Sequence, residues 1–273
     1  LQGSGTFGVE AVFLTGVPPE GKVAVLSNGA YGERAVLMLQ HARIPHAVLR
    51  TAEDVPSDAA ALDQLLASDK DITHVLAVHC ETTTGILNPI QEIGAVTRRH
   101  GKTYIVDAMS SFGAYPIDFE ACGIDYLISS ANKCIEGVPG FSFVLCRRAV
   151  LLATEGWARS LSMNLLDQLK GFEKNGQFRY TPPTHAILAF EQALAELDIE
   201  GGPAGRANRY RENHRTLVEA MDRIGLKPYL DPSVQSHIIT SFPYPSHPAY
   251  NWTDFYRRVA EKGFLLYPGK ISK

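Results

Sequence analysis

A lysine and an aspartate stand at the ends of predicted strands and could together carry out amine chemistry. Asp107 closes the apolar run 104–106, and Lys133 follows the run 125–128, 26 residues further along the chain. A lysine amine withdrawn from water is partly neutral and can attack a carbonyl, whereas a carboxylate favours a protonated nitrogen beside it. Gly137 and Gly140 leave space around the amine. Because a loop lysine is usually solvated and such an acid can simply cap a loop, the pair is a hypothesis.

A glycine-rich segment near the start of the chain could hold a phosphate. Gly3-Ser4-Gly5-Thr6-Phe7-Gly8 matches GxGxxG, but a dinucleotide site also needs a preceding strand and an acid at the end of the next one. Glu20 has the right spacing and lies in a predicted turn. We therefore favour a phosphate at the start of a helix over 6–14, where free N–H groups are available. A glycine turn without any ligand remains an alternative.

The elements that position these residues alternate between strands and helices. Apolar runs at 22–26, 46–50, 73–79, 103–107, 124–129 and 141–146 predict strands, and helices are predicted over 31–42, 59–67 and 89–100. This alternation predicts an α/β fold with a mostly parallel sheet flanked by helices. Functional groups of such sheets collect at the carboxyl ends of strands, where Asp107, Lys133 and the run His79-Cys80-Glu81-Thr82 all fall. For His79-Cys80-Glu81 we favour structural packing over metal binding, since neighbouring strand residues face opposite ways.

Composition excludes several functional classes. The net charge is −3 with no basic block, which argues against nucleic-acid or membrane electrostatics. No apolar run approaches the roughly 20 residues of a membrane span. The four cysteines form no CxxC pair, which indicates neither a disulfide framework nor a zinc site and favours the reducing cytoplasm.

The chain divides near residue 200. We predict a large domain over 1–200 and a smaller α+β domain over 201–273, with helices at 184–197 and 204–224 separated by Gly201-Gly202-Pro203, and further elements at 236–242 and 252–262. The chain starts directly on the glycine segment and stops without a terminal helix, so we expect the natural chain to extend beyond both ends.

Five blocks of sequence, taken together, resemble the class-V, fold-type-I pyridoxal-phosphate aminotransferases. They are GSGT, NGAYGERA, HCETTTGI, VDAMSSFG and SSANKCIEGVPGF, and the last is the most specific. The resemblance runs through essentially the whole chain. It implies that Lys133 forms the Schiff base with the cofactor and that Asp107 pairs with the pyridine nitrogen.

The same resemblance implies the rest of the cofactor site and the activity. The implied cofactor-binding residues are Ser4, Gly5, Thr6, Tyr31, Thr82, Asp107, Met109, Asn132, Lys133 and Thr181. Thr181 is similar to a residue that reaches the cofactor of the neighbouring subunit, which implies a homodimer with a shared site. The expected reaction is transamination of 2-aminoethylphosphonate with pyruvate. An alanine–glyoxylate or serine–pyruvate type reaction is the alternative, and a catalytically silent binding protein is the hypothesis from another class. The family's substrate-anchoring arginine and substrate gate match no segment of this sequence.

Overall fold

The computed structural model describes residues 1–269 and 271. Within them, helices pack on both faces of one six-stranded sheet. The elements follow along the chain as α1 (Gly5–Gly16), β1 (Lys22–Ser27), α2 (Ala30–His41), β2 (His46–Arg50), α3 (Ala59–Ser68), β3 (Ile72–Val78), β4 (Cys80–Glu81), β5 (Ile86–Leu87), α4 (Ile90–Arg99), β6 (Thr103–Asp107), α5 (Phe119–Cys122), β7 (Tyr126–Ser130), β8 (Ser142–Cys146), α6 (Arg148–Leu152), α7 (Leu165–Asn175), α8 (Thr184–Ile199), α9 (Gly202–Arg223) and α10 (Trp252–Ala260).

The sheet confirms the predicted α/β architecture. Its strand order is β2-β1-β3-β6-β7-β8, and every neighbouring pair is parallel except β7 and β8. The carboxyl ends of β3, β6 and β7 therefore meet at one edge. Between β3 and α4 the chain forms the small hairpin of β4 and β5 above that edge.

Alternation along the buried strands divides the core into two layers. On one face, Val25 of β1 and Ile105 of β6 pack against α1 and α2, where Phe13 and Leu39 are fully buried. On the other face, alternate residues of the same strands pack against the buried apolar sides of α3 and α4. Because both faces are covered, these strands are continuous apolar runs, as expected for a parallel sheet.

Local sequence explains where several helices begin. Asp58 accepts hydrogen bonds from the N–H groups of Ala60 and Ala61 and so begins α3. The predicted break at Gly201-Gly202-Pro203 separates α8 from α9, and Gly201 has a left-handed φ of 99° that favours glycine. Pro203 lies in the first turn of α9, where no intrahelical N–H is needed.

The segment 236–242 contributes no strand to the described part of the chain. It follows a short stretch of backbone that docks on the β4–β5 hairpin, where the Leu87 N–H donates to Val234 O and the Ser236 N–H donates to Gly85 O, both at 2.9 Å. Pro243 and Pro245 come directly after it and have no backbone N–H for a ladder. No described helix is both long and apolar enough to cross a membrane.

Candidate active site

Asp107 is a buried carboxylate at the carboxyl end of β6. Its Oδ1 accepts a hydrogen bond of 3.0 Å from the Met109 N–H. Burial raises the pKa of Asp107 to about 6, and the negative charge of Glu81 adds to the rise. The Met109 hydrogen bond and the positive charges of Arg34 and Lys133 act in the opposite direction. A carboxylate in this environment gains most from a cation placed directly beside it.

The glycine segment begins α1 as predicted, and this helix end could hold an anion. Gly3 has a left-handed φ of 97°, and its N–H donates to Gly140 O at 2.9 Å. Ser4 stands in extended backbone at the N-cap, and its hydroxyl makes no capping hydrogen bond. The first-turn N–H groups of a helix have no intrahelical acceptor, so the hydroxyls of Ser4 and Thr6 and the backbone at Gly5 supply donors at this end.

Met109 joins this helix end to Asp107. A Cβ at Gly5 would lie 1.8 Å from the Met109 sulfur, so the loop and the side chain of Met109 are in close contact. A small pocket lies beside them, and Thr6, Tyr31, Arg34, Asp107 and Met109 are among its lining residues. Four of the residues predicted to bind the cofactor are therefore brought together around one cavity.

Tyr31 is positioned by a carboxylate that lies on another segment. The fully buried Glu81 accepts hydrogen bonds through Oε2 from the N–H groups of Tyr31, at 3.1 Å, and Gly32, at 3.2 Å. Its Oε1 accepts from the N–H of Thr83 at 3.1 Å and from the hydroxyl at 2.8 Å. Glu81 therefore satisfies N–H groups at the start of α2, where the helix dipole also favours a negative charge.

Two residues of the site, Glu81 and Arg34, were not among the predicted cofactor residues. The Arg34 guanidinium lies 4.7 Å from the centre of the Tyr31 ring and donates to Thr6 Oγ1 at 3.4 Å. For Glu81 a signal existed in its place directly after a strand and before three threonines. For Arg34 none did, since its contact with Thr6 spans 28 residues of chain.

Lys133 lies in the loop after β7, at the predicted edge of the sheet, but its side chain is exposed. The expectation of a buried amine was wrong for this single chain, because no element of the described residues covers the loop on that side. Within those residues its amine forms no hydrogen bond or salt bridge. Its positive charge nevertheless contributes to lowering the pKa of Asp107. Asn132 is exposed as well.

The remaining predicted residues lie at the rim. Thr82 is half-buried between Glu81 and Thr83 in the β4–β5 hairpin. Thr181 is exposed, and its carbonyl accepts a hydrogen bond from the Gln2 side chain, so its segment runs beside the start of the glycine segment.

The run His79-Cys80-Glu81 has protein partners for each member. His79 Nδ1 bonds to Ser111 Oγ at 2.9 Å, and Cys80 Sγ donates to Ser236 Oγ at 3.3 Å. Together with the hydrogen bonds of Glu81 described above, these contacts give all three side chains a structural role. In the described ranges, 1–269 and 271, no group of three or more potential ligands is arranged to hold a metal.

Comparison with known proteins agrees with this geometry. Residues 18–270 match the model of the family described as Aminotransferase class-V. The 2-aminoethylphosphonate–pyruvate transaminases of Salmonella heidelberg and Salmonella typhimurium are 52% identical to the chain over an alignment of 274 residues that covers 100% of this chain and 75% of each relative.

Solved structures share the fold. The pyridoxamine–pyruvate aminotransferase of Mesorhizobium loti superposes with a TM-score of 0.90 at 24% identity, over 99% of this chain and 69% of that one. The alanine–glyoxylate aminotransferase of a Nostoc species superposes with a TM-score of 0.87 at 22% identity, over 95% and 69%. The fold, the family match and the identity to curated relatives lead to one conclusion: the chain belongs to the class-V aminotransferases, which are pyridoxal-phosphate-dependent transferases.

Proposed function

We propose that this enzyme transfers the amino group of 2-aminoethylphosphonate to pyruvate, which gives phosphonoacetaldehyde and L-alanine. The observation that carries the proposal is the 52% identity, over the whole chain, to transaminases named for these substrates. The exchange is balanced, because the amine becomes an aldehyde while the 2-oxo acid becomes an amino acid.

The residues of the site fit pyridoxal phosphate. The start of α1 offers backbone and hydroxyl donors to a phosphate through Ser4, Gly5 and Thr6. Tyr31 supplies an aromatic face in the same pocket, and Asp107 supplies a buried carboxylate whose pKa is raised to about 6. That rise is the behaviour of an acid that lacks its cation, and a protonated ring nitrogen would provide one.

When bound, the cofactor acts as a sink for the electrons of the carbon that loses its proton. The chain's own residues do the rest. Lys133 Nζ would hold the cofactor between turnovers and, once freed, would act as the general base that takes the proton from the substrate carbon and then as the acid that delivers it to the cofactor. Asp107 would keep the ring nitrogen protonated, because its negative charge raises the pKa of that nitrogen.

Four further residues complete the proposed cofactor site. Thr82 and Asn132 offer polar groups at the rim, and Met109 packs between the helix end and Asp107. Thr181 reaches the cofactor of the partner subunit. Exposed aromatic side chains flank Thr181, namely Phe178 and Tyr180, each 46% exposed, as expected for a segment covered in a homodimer. A partner would also cover the exposed side of the Lys133 loop.

The organisation and location of the enzyme follow the same proposal. Residues 1–200 form the large cofactor-binding domain, and a small C-terminal domain begins at residue 201. The four cysteines are free, three of them buried, which suits a reducing compartment, and we place the enzyme in the cytoplasm.

A spectroscopic titration tests the proposal. Purified protein reconstituted with pyridoxal phosphate should show the visible absorbance of a lysine-linked cofactor, and Lys133→Ala should lack it while the exposed-lysine control Lys262→Ala retains it. Adding 2-aminoethylphosphonate should bleach the band, and pyruvate should restore it. Bleaching by alanine or serine with glyoxylate as acceptor, and not by the phosphonate, would replace the proposed reaction with the alternative. Persistence of the band in Lys133→Ala would remove the lysine assignment.

A further inference from the structure

The loop that carries Lys133 is fixed to α9 by a buried arginine. Arg206 is only 2% exposed, and its Nη1 donates to the backbone carbonyl of Cys134, the residue next to Lys133, at 2.5 Å. The same guanidinium lies 3.4 Å from Glu136 Oε2. A buried guanidinium is costly unless its donors are satisfied, so these contacts hold the loop and the arginine together.

Glu200 binds the Arg206 guanidinium and is itself held by Arg209. Its Nε donates to Glu200 Oε2 at 2.5 Å, and Arg209 Nε donates to the other oxygen of Glu200 at 2.7 Å. The hydrogen bond from Arg209, followed by that from Arg206, lowers the pKa of Glu200 to about 2 and keeps it charged. A Cβ at Gly205 would lie 1.9 Å from Glu200 O, so glycine is required there for α9 to pack this closely.

Two further residues of α9, Arg209 and Tyr210, hold Glu136 of the loop. Arg209 Nη2 donates to both carboxylate oxygens of Glu136, at 2.9 and 3.0 Å, and the Tyr210 hydroxyl donates to Oε1 at 2.7 Å. Glu136 is one of only two non-glycine residues with a positive φ in the described chain, at 64°. Such a conformation persists where the surroundings impose it, and here α9 does so.

The loop itself is compact but gives the Lys133 side chain no support. The Glu136 N–H donates to Lys133 O at 2.8 Å, and the Gly137 N–H donates to Ala131 O at 2.9 Å. Ile135 packs into a small cluster with Ala193 and Leu197 of α8. Since the lysine side chain is exposed, the position of its amine relative to Asp107 depends on the backbone of this loop.

We propose that Arg206 is a positioning residue for catalysis. Through its contacts with the Cys134 carbonyl and with the carboxylates of Glu136 and Glu200, it sets the position of the Lys133 amine at the cofactor. This inference rests on the proposed role of Lys133. A lysine at position 206 would keep the charge but could not reach Cys134 O and Glu200 at once. A small displacement of a reacting group lowers the rate of the chemical step strongly, so the substitution should lower kcat.

The test compares Arg206→Lys with Arg215→Lys, a control on the same helix whose arginine pairs only with Glu212 and Glu219 of α9 among the described residues. Three quantities are measured: amide hydrogen exchange over 131–137 without cofactor, the pH midpoint of the visible absorbance with cofactor, and kcat and KM. For Arg206→Lys we expect exchange about tenfold faster, a midpoint shifted by about half a pH unit, and kcat about tenfold lower with little change in KM. The control should match the wild type in all three.

Tyr210→Phe and Glu200→Gln keep the test decisive if Arg206→Lys fails to fold. Tyr210→Phe removes one hydrogen bond to Glu136, and Glu200→Gln removes the negative charge that pairs with both Arg206 and Arg209. Each should change the same three quantities in the same direction by a smaller amount. Folded variants that match the control in loop exchange and in the absorbance midpoint would overturn the proposal. If the wild-type protein shows no absorbance of a lysine-linked cofactor, the proposed function is wrong. Amide hydrogen exchange over 131–137 would then still show whether Arg206 holds the loop.

Discussion

The buried carboxylates of Glu81 and Asp107 lie at the same edge of the sheet and have opposite hydrogen-bonding environments. Glu81 accepts four hydrogen bonds, from Tyr31, Gly32 and twice from Thr83. The structure gives Asp107 one, from Met109, and the charge of Glu81 adds to burial in raising its pKa. Glu81 is thus satisfied by the protein, whereas Asp107 keeps acceptor capacity that we propose the protonated ring nitrogen of the cofactor uses.

Asp107→Asn should make the cofactor-free protein more stable and the enzyme far less active. The folded pKa of about 6 lies above the ordinary 3.8, so between these values the folded state keeps a proton that the unfolded chain has lost. Stability therefore falls as pH rises through this window, by up to about 3 kcal/mol. The asparagine variant avoids this cost and should gain about 2 kcal/mol at pH 8, while losing activity by about 100-fold or more.

Urea unfolding of cofactor-free protein at pH 8 and an activity assay of the reconstituted enzyme measure the two effects. Asp71→Asn, at an exposed position, is the matched control. Unchanged activity in Asp107→Asn would exclude a role beside the ring nitrogen. A loss of stability would show that burial of the charge is not the dominant influence on this carboxyl group.

Glu81→Gln should loosen the start of α2. The carbonyl oxygen of the glutamine amide still accepts, but its NH2 group cannot, so at least one buried donor from Tyr31, Gly32 or Thr83 is left without a partner, at a cost of about 1–3 kcal/mol. The pKa of Asp107 should fall at the same time, because a like charge has been removed. Cofactor affinity should weaken through Tyr31.

The free energy of urea unfolding, a cofactor titration and the carboxyl resonance of Asp107 in NMR follow these changes. Glu191→Gln on the exposed part of α8 is the control. Wild-type stability in Glu81→Gln would mean that the four hydrogen bonds do not hold the helix start.

Features that depend only on residues close together in the sequence were predictable. Asp58 caps α3, Asp107 ends β6 and the glycine segment begins α1, each as its neighbours in the sequence indicate. Features that depend on distant partners were not. The contact between Arg206 and Cys134 O spans 72 residues, and no local pattern marks it.

One rule did not apply and one expectation failed, each for an identifiable physical reason. The rule that neighbouring strand residues face opposite ways does not apply across His79, because β3 ends at Val78 and a separate hairpin begins at Cys80. The exposure of Lys133 depends on what packs over its loop, which small neighbouring residues and glycines do not determine.

Acidification should destabilise the protein through two buried histidines. Burial lowers the pKa of His74 and His79 to about 4, from an ordinary 6.5. The unfolded chain therefore binds protons that the folded state does not, and stability is lost as pH falls from 6.5 towards 4. Asp107 opposes this below pH 6, so these three groups together take up about one proton on unfolding between pH 5 and 6, which contributes about 1.4 kcal/mol per pH unit.

His74→Gln separates this effect from the site, because His74 pairs with Val23 near the amino end of β3. In the variant the contributions of His79 and Asp107 nearly cancel, so the stability of the cofactor-free protein should fall less steeply from pH 6 to pH 5 than that of the wild type, by about 1 kcal/mol per pH unit. Urea unfolding at several pH values measures the slope. An unchanged slope would show that His74 is protonated in the folded state.

Mixing two inactive variants should restore activity if the site is shared between subunits. Lys133→Ala removes the amine, and Thr181→Glu places a negative charge where we propose that the partner's phosphate binds. In a hybrid dimer one site carries both changes and the other carries neither. Random reassortment makes half of the dimers hybrid, each with one intact site, so the mixture should recover about one quarter of wild-type activity.

The measurement is activity after the two variants are unfolded and refolded together, compared with each refolded alone. Thr184→Glu, another exposed threonine at the start of α8, controls for the added charge and should remain active by itself. If Thr181 instead served its own subunit's cofactor, every hybrid site would carry one of the two changes and no activity would return. Recovery therefore depends on the one arrangement in which Lys133 and Thr181 of a working site come from different chains.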